Sequence, residues 1–436
     1  MTAKIQMTES HKRSAFRWIP TLYFGQGLPY VAVMTLSVIM YKNLGLNNTD
    51  IALYTSWLYL PWVIKPLWSP LVELIGSKRG WILSMQLIIG AALAAVGLAL
   101  PGDDFLHWTL IAFWLMAFSS ATHDIAADGF YMLALKENQQ AAFVGVRSTF
   151  YRLAMIAGQG GLVYLAGMLQ EQSGSFATAW SAVFILLGIG FVVLAAYHRW
   201  ALPRPAKDAL TVVPSAAALM RDFWRVFVAF FDRPGIGLML AFLLLYRFPE
   251  AQLLKLATPF LLDANVAGGL GLSTQDVGIV YGTVGVVSLT LGGILGGLVI
   301  ARFGLRATLW PLALCMHIPN LVFVALALYH PSSLWIVGGA LAVEQFGYGF
   351  GFTAYLLYMI MISKGAHQTA HYAICTGFMA LGMMLPGMWS GWLQAQLGYL
   401  HFFFWVCVAT LPSFYVVSKV KIDSAFGKSE QSESAQ

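Results

Sequence analysis

Residues 69–79 read Ser69-Pro70-Leu71-Val72-Glu73-Leu74-Ile75-Gly76-Ser77-Lys78-Arg79, and residues 297–306 read Gly297-Leu298-Val299-Ile300-Ala301-Arg302-Phe303-Gly304-Leu305-Arg306. Each stretch closes an apolar run on a glycine and a basic end. In the first, Glu73 is the acid, Gly76 the turn, and Lys78 and Arg79 the basic end. In the second the acid is missing, but Arg302, Gly304 and Arg306 fall in place. Glycine permits a tight turn, and basic residues suit the headgroups of a cytoplasmic membrane surface. One such turn in each half of a chain predicts two related halves.

The sequence on either side supports that reading. The chain has 436 residues, 59% of them hydrophobic and only 10% charged, with a mean hydropathy of +0.71. Soluble domains carry about 25% charged residues, so this composition excludes a soluble enzyme. The net charge of +6 is spread along the chain, which excludes a nucleic-acid binder with one basic module. Apolar runs of about 20 residues indicate membrane-crossing helices rather than barrel strands. Twelve are read, at 18–41, 51–75, 81–100, 108–135, 143–169 and 177–197, then 235–260, 277–300, 308–329, 334–362, 369–393 and 401–418. Cys315, Cys375 and Cys407 all lie in such runs, so no disulfide framework is expected. No cleavable signal peptide is expected either, because the first run is too long for one.

Residues 198–233 are rich in charge and proline and divide the runs six and six. The expected organisation is a cytoplasmic tail at 1–17, a six-helix bundle at 18–197, a cytoplasmic linker at 198–233, a second bundle at 234–418 and a disordered cytoplasmic tail at 419–436. With the N-terminus inside, 19 of the 25 Lys and Arg fall on the cytoplasmic side. Lys42 alone falls opposite, and Lys65, Arg147, Arg152, Arg247 and Lys255 lie within runs. This lopsided distribution predicts that both termini are cytoplasmic. Pairs of glycines four apart, Gly278/Gly282, Gly292/Gly296, Gly293/Gly297 and Gly347/Gly351, predict close helix packing.

Ionisable residues inside a bilayer are expensive and mark cavities or partners. Span four carries His123, Asp124 and Asp128, and span five carries Arg147 and Arg152. Asp124 and Asp128 share a helical face. At 1.5 Å per residue, Asp128 and Arg147 lie about 10 and 6 Å from the same end, and Asp124 and Arg152 about 16 and 14 Å. Two charge pairs are therefore expected, Asp128 with Arg147 and Asp124 with Arg152. Span seven holds Arg247, Glu250 and Lys255, and span ten holds Glu344 and Gln345. Asp124, Asp128, Glu250 and Glu344 are the candidate proton carriers, with Asp124 preferred for its depth and its neighbour His123. Glu344 either carries a proton or pairs with Arg247 or Lys255. Lys65, between Pro61 and Pro66, is read as reaching the headgroups or forming a structural pair. Pro61 and Pro66 themselves are expected to bend span two. His317 and His371 are read as packed or hydrogen-bonded histidines. No phosphate-binding loop or metal-ligand spacing is present, so no cofactor, metal or ATP-driven step is expected.

Twelve spans, a basic central linker and the paired turns resemble the major facilitator superfamily, whose halves are parallel repeats. Finer elements are Gly27-Leu28-Pro29, Lys65-Pro66-Leu67-Trp68-Ser69-Pro70, His123 to Asp128, Tyr151-Arg152-Leu153, Ala354-Tyr355-Leu356 and His371-Tyr372-Ala373. In that order they resemble the AmpG family of muropeptide permeases, related to acetyl-coenzyme A transporters and some siderophore importers. His123 stands where the family has glutamine. The resemblance implies proton-coupled import of anhydro-muropeptides across a bacterial inner membrane, in cell-wall recycling and with a link to β-lactamase induction. Gln26, Tyr30, His123, Arg152, Arg247, Lys255 and Gln345 are the substrate-binding candidates, the basic ones facing an anionic glycopeptide or other anionic solute. A carrier of a siderophore or acyl-coenzyme A is the alternative. A membrane-embedded enzyme is disfavoured because no nucleophile and base cluster, and a sensor because no soluble output domain is present. The expected partners are the solute, protons and the bilayer, with no nucleic acid, and the chain is expected to be a monomer.

Overall fold

The computed structural model describes residues 15–74, 76–135, 137–205, 208, 216–365, 367–423 and 426–427. All regular structure among them is helical. Ten segments are long and apolar enough to cross a membrane: Ile19–Asn43, Lys78–Ala99, Phe105–Ala134, Gly145–Ser173, Phe176–Ala201, Ile236–Leu262, Thr274–Phe303, Leu305–Tyr329, Leu334–Ser363 and Ala370–Lys419. The last is interrupted at Gly398, whose φ of 72° and ψ of 167° separate spans eleven and twelve. Span two is the pair Asn48–Trp57 and Leu60–Leu74, broken just before Pro61, where a proline ring disfavours helix in the preceding residue. Helix Leu60–Leu74 runs on through Pro66. Twelve crossings result, as read from the sequence. Serine caps begin three of them: Ser77 accepts from the Gly80 amide, Ser175 accepts from the Thr178 amide, and Ser273 and Asp276 form a capping box, which satisfies otherwise orphaned amides.

Both motif glycines adopt the positive φ that the turn reading requires, Gly76 at 72° and Gly304 at 83°. Arg302 lies over the Phe303 ring at 5.3 Å. The side chain of Glu73 lies outside the described part of the structure. Three of the four glycine pairs pack as expected, and Gly293/Gly297 does not, since a Cβ at either would stand 3.5 Å or more from its nearest neighbour. A Cβ on Gly292 would stand 2.1 Å from the Phe346 carbonyl oxygen of span ten. One on Gly282 would stand 2.0 Å from the Gln159 carbonyl oxygen of span five, so these backbones touch with no side chain between them.

The buried side chains fall into clusters that follow the halves. One lies wholly within 15–202, around Trp18, Phe130 and Phe143. Two lie within the second half, around Phe242 and Tyr355 and around Phe260 and Phe403. The largest is built from the first half but takes in Ala251, Ala380, Met383 and Met384, where the halves meet. Large apolar side chains such as Leu98, Val193, Ile294 and Ile336 stand exposed on the outside, as a lipid-facing surface requires.

Two expectations need correction. The segment 198–233 contains a helix, Ala216–Phe231, whose Phe227, Phe230 and Phe231 join the core of the second half. Phenylalanines at this spacing make one apolar stripe that seeks burial. The tail from 419 is not free throughout: the Leu305 amide donates to the Phe426 carbonyl at 3.0 Å, and Lys364 sits 4.6 Å over the Phe426 ring. The remainder of that tail and residues 1–14 lie outside the described residues.

Candidate functional site

A cavity of about 290 Å³ lies between the halves. Its first-half wall includes Tyr30, Tyr59, Trp62 and Lys65, and its second-half wall Arg247, Lys255, Tyr281, Gln345 and Tyr348. The helices that line it are locally irregular. Spans one, five and eight each contain a π-helical turn, at Ala32–Leu36, Ala157–Leu162 and Gly278–Gly285. Thr35, Gln159 and Tyr281 face the cavity from these turns. Span seven is interrupted at Tyr246–Arg247, so Arg247 caps the helix Phe248–Leu262. Backbone irregularity at membrane depth is tolerated where it lines a cavity and is frequent at functional sites.

Three cations reach this space, and each has a different partner. Lys65 sits 3.6 Å from Asp124 Oδ2, which also accepts from the Trp62 indole nitrogen at 3.2 Å. Arg247 donates to the Tyr348 hydroxyl and lies 4.6 Å over the Phe352 ring. Lys255 donates to Thr55 across the halves at 2.9 Å and lies 5.2 Å over the Tyr59 ring. Among the described residues, Lys255 has no carboxylate partner, although it is only 5% exposed. A buried ammonium with neutral partners suits an anion arriving from the cavity.

The four candidate carboxyls have different surroundings. Asp128 pairs with Arg147 at 2.9 Å, as the helix depths predicted, and accepts from Tyr23 at 3.3 Å. Asp124 does not pair with Arg152. Its cation is Lys65 of span two, and Gln26 lies beside it. Arg152 instead packs against Gly293 of span eight, with no ion-pair partner among the described residues. Lys65 therefore turns into the protein rather than out to headgroups. Glu344 makes no ion pair with Arg247 or Lys255; its Oε2 accepts from Gln345 at 2.9 Å. Glu250 is fully buried, and neither of its oxygens has a hydrogen-bond partner among the described residues.

His123 is not at the cavity. It contacts Gln86 at 3.1 Å, which holds His198 at 3.0 Å, which in turn meets Thr21 at 2.9 Å. This polar chain lies inside the first half. His317 meets Ser413 at 2.8 Å, and His371 meets the Val226 carbonyl at 3.2 Å, both hydrogen-bonded as expected. Of the binding candidates, Tyr30, Arg247, Lys255 and Gln345 line the cavity, whereas Gln26, His123 and Arg152 do not. Tyr59, Trp62 and Tyr348 were not read as candidates. Tyr59 and Trp62 flank Pro61, where span two breaks, and Tyr348 stands four residues after Glu344 on one helical face.

Twelve helices in two bundles around one cavity lined from both sides define a multi-pass secondary transporter. The profile of the Major Facilitator Superfamily matches residues 21–385, and the chain belongs to that superfamily. It is 26% identical over 404 residues to an anhydromuropeptide permease of Escherichia coli strain K12, covering 90% of this chain and 76% of that one. It is 22% identical over 405 residues to a putative transporter, AmpG 4, of Rickettsia conorii, covering 90% and 92%. Its fold is like that of a D-xylose-proton symporter, with a TM-score of 0.68, 13% identity and coverage of 96% and 99%. An inward-facing bacterial homologue of the lysosomal transporter Spinster gives a TM-score of 0.69 at 14% identity, covering 95% and 96%.

Proposed function

We propose that this chain imports anhydro-muropeptides across a bacterial inner membrane, coupled to protons, with both termini in the cytoplasm. The observation that carries the reading is the cavity wall, where Lys65, Arg247 and Lys255 stand among Tyr30, Tyr59, Trp62 and Tyr348. Aromatic faces pack on sugar rings, and cations take peptide carboxylates. A purely apolar solute has no use for three cations. The relationship to an anhydromuropeptide permease points to the same substrate class. Ligand pockets occupy about 300–1,000 Å³, so a cavity of about 290 Å³ is narrow for a disaccharide with a peptide. Loading such a solute requires the halves to part, as rocking about a central site does.

The test is uptake of labelled N-acetylglucosamine–anhydro-N-acetylmuramyl tripeptide into proteoliposomes holding the full chain. Accumulation is expected when the outside is acidic and not when the gradient is collapsed. Accumulation indifferent to the gradient would remove the proton from the reading. No uptake of this probe, with uptake of a ferric siderophore or an acyl-coenzyme A, would replace the substrate class.

A further inference from the structure

Glu250 and Glu344 are the most completely buried acids among the described residues, at 0% and 1% exposure. Both oxygens of Glu250 and Oε1 of Glu344 have no hydrogen-bond partner. The two carboxyls come from different spans, seven and ten, which meet at the Arg247–Tyr348 hydrogen bond, with Glu250 three residues after Arg247 and Glu344 four before Tyr348. Neither lines the cavity. Tyr281, Gln345 and Tyr348 do, and the two tyrosines feel the charge of both acids. Each acid thus stands one helical turn from a cavity-wall residue, Glu250 from Arg247 and Glu344 from Tyr348.

Two ionised carboxylates in that position would carry a large desolvation cost with almost no donors to offset it. Adjacent buried carboxyls resist double ionisation and titrate as a pair. The surrounding groups decide which member holds the charge. Arg247 of span seven faces Glu250, and Glu250 lies in the first turn of helix Phe248–Leu262, where the helix dipole favours an anion. Span eight offers Tyr281, and span ten offers Tyr348 and Gln345. Lys255 points away, to Thr55. Glu344 lies in the middle of helix Leu334–Ser363, with one amide donor and no dipole to help it.

We propose that Glu250 and Glu344 form a proton-binding pair behind the second-half wall, sharing one proton that rests on Glu344 while the cavity is empty. The site rests on the proton-coupled import reading and locates its proton. It also supplies a coupling route. Arg247 both lines the cavity and compensates Glu250, so an anionic solute that engages Arg247 weakens that compensation and favours a second proton on the pair. By linkage, the second proton then favours the anion.

The closing experiment uses the full chain in lipid nanodiscs and glutamate labelled with ¹³C at the side-chain carboxyl. Infrared difference spectra between neutral and alkaline pH are expected to show a protonated-carboxyl band that moves with the label. Glutamate labelling leaves Asp124 and Asp128 silent. Glu344→Gln should remove the band, and Asp124→Asn should leave it in place. In proteoliposomes, Glu344→Gln should lose gradient-driven accumulation of the labelled tripeptide probe and keep its exchange at equal pH. Absence of a label-sensitive band in the wild-type chain at neutral pH overturns the pair, whether or not the variants fold. So does a band that survives both Glu344→Gln and Glu250→Gln. A glutamate band that Glu344→Gln removes, in a protein that does not accumulate the probe, upholds the pair and sinks the import reading instead.

Discussion

At the scale of single residues, the deciding fact is which cation answers which acid. Asp124 has Lys65 at 3.6 Å and the Trp62 indole, while Arg152 stands elsewhere. A double-mutant cycle of Lys65→Met and Asp124→Asn, read by thermal unfolding of the purified protein, should show a coupling of about 0.5–3 kcal/mol. The cycle of Arg152→Met with Asp124→Asn should be additive to within about 0.5 kcal/mol; coupling there of the size seen with Lys65 would restore the Arg152 pair. Lys255 supports a prediction of its own. It has no carboxylate partner among the described residues, so Lys255→Met should raise KM for an anionic solute about tenfold or more and change kcat less. That is the effect of removing a charged hydrogen bond worth about 1.5–3 kcal/mol. An unchanged KM would remove Lys255 from the binding site. The sequence exposed the acids, because charge inside an apolar run is conspicuous, and it placed Asp128 with Arg147 because neighbouring spans share a depth scale. It could not show that span two lies beside span four, so the partner of Lys65, Asp124, was not legible. His123 was misread for a simpler reason: consecutive helical residues point about 100° apart, so a neighbour of Asp124 in sequence faces a different surface.

At the scale of helices, the glycine pattern was legible and its partners were not. Period-four glycines announce close contact, but only the fold shows that Gly292 meets span ten while Gly282 meets span five across the halves. Gly293, next in sequence to Gly292, would meet only ordinary van der Waals contact: the nearest atoms to a Cβ there lie 3.5 Å away or more. Gly292→Ala should therefore lower the unfolding temperature, by overpacking of about 1–3 kcal/mol. Gly293→Ala should leave it near wild type. Equal damage at both positions would refute the packing assignment. Gly282→Ala, at a contact that must slide if the halves rock, should depress uptake more than it depresses stability. The linker helix Ala216–Phe231 is marked in the sequence only by an apolar stripe set among the charge and proline of 198–233.

At the scale of the whole molecule, the halves are fastened on the face opposite the glycine turns. Lys42, between spans one and two, meets Asp263, after span seven, at 2.6 Å, with side chains 13% and 19% exposed. Tyr399 donates to Asp263 at 2.6 Å, and Asn48 reaches Tyr399 and Gln394 at 2.8 and 2.9 Å. Lys42 is the one basic residue that the charge distribution leaves on that face, and it bridges the halves there. Its charge is compensated only while this face is closed. If the halves part, both ions must be rehydrated separately, so the pair biases the closed arrangement by an amount typical of two-state coupling, about 1–3 kcal/mol. Asp263→Asn should shift the balance toward opening on that face. With Cys315, Cys375 and Cys407 replaced by alanine, Thr35→Cys provides a reporter in the cavity wall. A membrane-impermeant maleimide applied from the periplasmic side should label it roughly five-fold faster or more when Asp263→Asn is added. The exchanged pair Lys42→Asp with Asp263→Lys should return labelling to the slow rate, which a general loosening of the fold would not do. Unchanged labelling in Asp263→Asn would show that the bridge does not hold the face shut. Acceleration only when the reagent is applied from the cytoplasmic side would reverse the orientation read from the basic residues.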